Sequence, residues 1–163
     1  MQKLTGYLIL VLAPLLLGAF TMMSPLASTK YKCMIQMTNY TGEGAYIIVS
    51  VLNEKGEYLE SVRVMGDDEE WYPDLNQWFT YYETEQPEID GITGATLSGG
   101  KRSVFSIEID DTRLNSGHTL RIETAVEDQK YVPDEVEIPM TTAGMAGKYD
   151  GKDYIRYVRI LAE

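Results

Sequence analysis

Tyr46-Ile47-Ile48-Val49-Ser50-Val51-Leu52 is apolar on both faces and rich in β-branched side chains, which places it centrally in a β-sheet. Asn53-Glu54-Lys55-Gly56 follows as a hairpin loop, and residues 58–65 return with Val62 and Val64 on one face. Upstream, Tyr31, Cys33, Ile35 and Met37 share one face of a first strand. Downstream, residues 104–109 alternate as a strand should. In residues 119–126, Leu120, Ile122 and Val126 face one way while Arg121 and Glu123 face the other. The runs 136–138 and 154–161 complete about seven strands. Short strands with regular turn signals point to an all-β fold, an immunoglobulin-like two-sheet β-sandwich.

The first 27 residues read differently. After Met1-Gln2-Lys3 comes a continuous apolar run, residues 7–20, that fits the h-region of a secretory signal. Pro25-Leu26-Ala27 is a poor small-x-small cleavage site, and with residues 21–26 the apolar stretch approaches the roughly 20 residues that span a bilayer. Two readings stay open, a cleaved signal peptide and an uncleaved N-terminal anchor helix. Lys3 against Lys30 and Lys32 gives no decisive charge asymmetry, and export is the simpler orientation, so residues 28–163 are expected outside the cytoplasm as one sandwich domain large enough to bury a core. Cys33 is the only cysteine, so no intramolecular disulfide is available and the core must hold the domain together.

The formal charge is −11, which argues against nucleic acid as a partner because so acidic a chain repels the phosphate backbone. Few residues suit independent catalysis. His118 is the only histidine, so no histidine-rich metal site and no hydrolase built on another histidine base is available. Asp67-Asp68-Glu69-Glu70 lacks the spacing of a calcium loop and reads as a solvated turn. Met34, Met37 and Met65 read as core fillers. With no nucleophile and base paired, a carrier or binding role is expected ahead of an enzyme.

One stretch carries chemistry. Asp90-Gly91-Ile92-Thr93-Gly94-Ala95-Thr96 has an aspartate, two free positions, a threonine and then Gly-Ala-Thr. This resembles the acceptor sequence that bacterial flavin transferases modify in flavinylated respiratory subunits. The resemblance implies that FMN is esterified through its phosphate to the Thr96 hydroxyl, and that Asp90, Thr93, Gly94 and Ala95 form the rest of the recognised segment. The transferase is then one partner. Lys101 and Arg102, just downstream, could neutralise the phosphodiester charge. In the respiratory subunits a helical segment follows the acceptor, whereas here Ser98-Gly99-Gly100-Lys101-Arg102 leads into a strand. The likeness to those subunits ends with the motif.

Leu75, Trp78, Phe79 and Tyr82 follow i, i+3, i+4, i+7 and predict a short amphipathic helix opened by Pro73-Asp74. With Trp71 and Tyr72 it could cover a flavin ring, or its aromatics could plug one end of the sandwich. The combination of Asn39-Tyr40-Thr41-Gly42-Glu43-Gly44-Ala45-Tyr46, Gly56-Glu57-Tyr58 and Trp71-Tyr72-Pro73-Asp74-Leu75 with Trp78 resembles the family of small predicted periplasmic proteins termed domain of unknown function 2271. That resemblance implies a membrane electron-transfer protein as redox partner. The sequence thus leads to an extracytoplasmic electron carrier with covalent FMN on Thr96. The alternative is a non-redox binding or adhesion module, a role this type of sandwich often serves.

Overall fold

The computed structural model describes residues 27–163; the segment expected to form a signal or anchor helix lies outside them except for Ala27. Nine strands are present among the described residues: β1 (Ser28–Met37), β2 (Tyr46–Leu52), β3 (Tyr58–Met65), β4 (Thr93–Gly94), β5 (Arg102–Asp110), β6 (Thr119–Ala125), β7 (Tyr131–Pro139), β8 (Lys148–Asp150) and β9 (Ile155–Ala162). They form two sheets, one of order β5-β1-β9-β8 and one of order β4-β3-β2-β6-β7. The domain is the expected all-β two-sheet sandwich. The strands beyond the expected seven are β4 and β8, of two and three residues, too short to show a period.

β2 sits at the centre of the five-stranded sheet, between β3 and β6, and all seven of its residues are buried. Ile47, Val49 and Val51 face the other sheet and join Cys33, Ile35, Ile122 and Val158 in the inter-sheet core. Tyr46 and Ile48 point the opposite way, into a second core with Val64, Tyr72, Leu75, Trp78 and Ile89. The helical insertion supplies that second core. A 3-10 turn (Glu69–Asp74), capped by the Asp68 carboxylate accepting from Glu70 N, leads into α1 (Asn76–Glu85). The insertion lies over the outer face of the five-stranded sheet and does not plug an end of the sandwich, because β2 and β3 present apolar side chains there that water would otherwise meet.

β1 alternates as expected, with Tyr31, Cys33, Ile35 and Met37 buried and Lys30 and Lys32 exposed. The β2–β3 hairpin closes through Asn53, whose Oδ1 accepts from the N–H groups of Lys55 and Glu57, and through Gly56 at φ +80°. Glu135 is fully buried on β7 yet well satisfied: it accepts from Asp153 N at 2.7 Å, Ile155 N at 3.0 Å and Thr124 Oγ1 at 3.0 Å. It ties the turn between β8 and β9 to the five-stranded sheet. Among the described residues no helix is long and apolar enough to cross a membrane.

Candidate functional site

The acceptor segment is pinned at both ends and free in the middle. Ile89 is buried in the second core and its carbonyl accepts from Ile92 N at 2.9 Å and from Thr93 Oγ1 at 2.8 Å, so Asp90–Ile92 forms one 3-10 turn. Thr93 and Gly94 then pair in parallel with Val64 and Met65, which makes the segment the edge strand of the five-stranded sheet. Gly66 N donates to Gly94 O at 2.6 Å. Three residues later Leu97 is buried in the inter-sheet core, and it exchanges two backbone hydrogen bonds with Ala45, each 3.0 Å. The Tyr40 hydroxyl donates to Leu97 O at 2.8 Å and accepts from Ala45 N at 2.8 Å, locking the same junction from the side.

Between these anchors stand Ala95, exposed, and Thr96, half-buried. Thr96 lies across Gly44: a Cβ at position 44 would stand 2.3 Å from Thr96 Oγ1 and 2.7 Å from its Cβ. Glycine is the residue that leaves room for this side chain. Among the described residues no hydrogen bond holds Thr96 Oγ1, and its packing against Gly44 positions the side chain. Asp90 is exposed at the start of the 3-10 turn, and no hydrogen bond joins it to Thr96.

Lys101 and Arg102 lie against β1 of the other sheet. Arg102 opens β5 in the four-stranded sheet, where its Nε donates to Gln36 Oε1 at 3.0 Å. The Lys101 carbonyl accepts from Met37 N at 3.0 Å and from Gln36 Nε2 at 3.1 Å. The cation directly against the acceptor segment is Arg63 on β3. Its guanidinium packs 5.4 Å from the Phe105 ring centroid, and its Nη2 would be 2.8 Å from a Cβ at Gly94. Its Nε is buried without a hydrogen-bond partner. Sequence reading missed Arg63 because a lone arginine between Val62 and Val64 looks like an ordinary outward strand position.

Asp90 borders an open cleft of about 660 Å³, between α1 and the chain leading into the acceptor segment, walled by Tyr72, Phe79, Tyr82 and Ile89. A second hollow of about 310 Å³ shares Glu69, Tyr72, Ile89 and Asp90 with it and reaches Thr93 and Gly94. Phe79 and Tyr82 are half-buried and nearly parallel, with centroids 6.3 Å apart and planes at 26°. Behind Tyr82 lies Trp78, stacked at 5.1 Å and 24°. Trp78 itself is fully buried, with Nε1 donating to Ser61 Oγ at 2.8 Å, and Tyr72 is 1% exposed with its hydroxyl donating to Gly66 O. Trp78 presents no face to a ligand, Tyr72 meets the cleft with the little of its surface that is uncovered, and Trp71 does not line the cleft. The cleft is negatively charged: burial, then Glu69, with Asp90 and Glu88 also contributing, pushes the Tyr82 phenol above its ordinary range.

A second titratable group lies on the same face of the sheet. Glu123, fully buried on β6, accepts hydrogen bonds from the hydroxyls of Tyr58 and Tyr131. Burial pushes its carboxyl up to about 7, against the opposing pull of the two tyrosines and Arg121. His118 sits apart, its Nδ1 2.8 Å from Ser116 Oγ. Cys33 is buried, and desolvation raises its thiol to about 12, so it is no reactive thiolate at neutral pH.

Neither the curated proteins nor the solved structures include a match to this chain. A family model does match, across residues 28–157, which covers β1 to β8, the first three residues of β9, the helical insertion and the acceptor segment together. The chain therefore belongs to the family described as predicted periplasmic protein (DUF2271).

Proposed function

We propose that this protein is an extracytoplasmic electron carrier in which FMN is joined by a phosphoester to Thr96. A transferase must bring its active site to the acceptor hydroxyl, so the hydroxyl has to be accessible while the surrounding backbone stays folded. The observation that carries the reading is the combination of an acceptor sequence with a pinned segment whose unpaired residues are Ala95 and Thr96. The residues present also fit the group. The adjoining cleft falls in the 300–1,000 Å³ range typical of cofactor sites, and it offers aromatic walls.

Each residue then has a stated task. Thr96 supplies the ester oxygen: in the transferase its hydroxyl loses its proton and attacks the flavin-side phosphorus of the FAD pyrophosphate, whose P–O–P bond breaks to release AMP, and Gly44 opposite leaves space for the side chain. Asp90, exposed at the head of the segment, is read by the transferase. Gly94 and Ala95 keep the approach to Thr96 open. Arg63 packs beneath the segment at Gly94 and brings a positive charge to it. Bound FMN supplies the electron chemistry, since its ring system takes up and releases one or two electrons. Covalent attachment keeps that ring with the protein where free FMN would be lost by dilution.

The periplasmic description of the family agrees with a carrier that works at the outer side of a membrane, with the apolar N-terminal segment as signal or tether and a membrane electron-transfer protein as redox partner. The test is direct. Protein from cells with an active flavin transferase is denatured and run on a gel, where flavin fluorescence should stay with the polypeptide and be absent from Thr96→Ala. A colourless wild-type band, or a fluorescent Thr96→Ala band, overturns the proposal.

A further inference from the structure

We infer that the cleft between α1 and the acceptor segment is the seat of the isoalloxazine ring, held against the half-buried faces of Phe79 and Tyr82; this rests on the proposal that Thr96 carries FMN. The cleft runs toward the acceptor segment. The 660 Å³ cleft and the 310 Å³ hollow share Tyr72, Ile89 and Asp90, and the hollow ends at Thr93 and Gly94. Thr96 is two residues further on, so its Cα lies within about 7 Å of that of Gly94.

The walls suit a flat ring. Phe79 and Tyr82 lie close to parallel, and Tyr82 is backed by the buried indole of Trp78, which is itself fixed by its bond to Ser61. A planar heterocycle entering the cleft therefore meets aromatic side chains that are already ordered, and little side-chain entropy is lost in gripping it. The walls also set the ring's electrostatics. Glu69, Glu83, Glu88 and Asp90 border the cleft, and Glu69, Asp90 and Glu88 add to burial in raising the Tyr82 phenol. Negative charge close to the ring opposes addition of electrons, so a ring seated here has a lower midpoint potential than free FMN. Because Glu83, Glu88 and Asp90 are exposed, added salt narrows the difference.

The experiment uses two ligands. In FMN-loaded protein, flavin emission should be several-fold weaker than that of free FMN. Tyr82→Leu and Tyr82→Phe should both raise it, because the phenol donates an electron to the excited ring and a phenyl ring does so far more poorly, and the Glu83→Gln/Glu88→Gln pair should raise the midpoint potential. In unloaded Thr96→Ala protein, added riboflavin should be quenched in a Tyr82-dependent way, with melting curves confirming that each variant is folded. Loaded FMN that fluoresces as in water and is indifferent to these substitutions overturns the seat while leaving attachment at Thr96 intact. Absence of loading with riboflavin still quenched overturns the attachment and supports the seat. Absence of both overturns the two together.

Discussion

Replacing Glu123 by glutamine should flatten the pH dependence of this domain's stability. Glu123 is fully buried between the hydroxyls of Tyr58 and Tyr131, and its carboxyl is raised to about 7 from an ordinary 4.5. Below about pH 4.5 the group is protonated both folded and unfolded, and its proton linkage adds no slope. Between 4.5 and 7 the folded protein keeps a proton that the unfolded chain has released, so stability falls as pH rises through this window. Above about 7 both states are ionised and the loss is complete. At about 1.36 kcal/mol per pH unit, the gap amounts to roughly 3 kcal/mol. Glutamine keeps an oxygen for one tyrosine and an N–H for the other, and it carries no proton to lose. Urea denaturation from pH 4.5 to 8, compared between wild type and Glu123→Gln, isolates the effect from the self-repulsion of an acidic chain, because both proteins share the other carboxylates. The variant should gain about 3 kcal/mol relative to wild type across the window. Parallel curves would refute the assignment and show that Glu123 ionises with little hindrance.

Trp78→Ala should lower stability by about 3–5 kcal/mol, since it empties the centre of the second core and strands Ser61 Oγ; a thermal melt within a degree or two of wild type would contradict the burial described above. Gly44→Ala should reduce flavin loading and cost about 1–3 kcal/mol, because the new methyl group collides with Thr96 Oγ1; unchanged loading by absorbance would show that the acceptor side chain need not lie across position 44. Asp90→Ala should impair loading while leaving the melting temperature nearly untouched, as expected for an exposed residue outside both cores. Normal loading would reduce Asp90 to a turn residue.

Much of the sandwich was legible in the residues. Alternation in β1 and β6 and the Asn53–Gly56 turn each carry a local physical signal, and each element forms where that signal falls. The position of the insertion was not read, although Tyr46 and Ile48 held the clue. A strand apolar on both faces needs a second cover, and the aromatic helix is that cover. β4 could not be found from period, because two residues show none and its pairing depends on Val64 and Met65 reaching it from elsewhere. Buried Glu123 and Glu135 sit at positions that look polar and outward in the sequence. Their burial follows from distant partners, Tyr58 and Tyr131 for one and the turn before β9 for the other. The acceptor segment was visible as a pattern. The fit of Thr96 against Gly44 and of Arg63 under Gly94 arises from contacts between residues far apart in the chain.

Attachment of FMN to Thr96 is the central claim, and mass measurement addresses it most directly. Protein co-expressed with an active flavin transferase should gain one FMN-sized increment over the unmodified chain, and peptide mapping should place that increment on the peptide containing Thr96. An unmodified mass under those conditions, or an increment that maps to another residue, would contradict it.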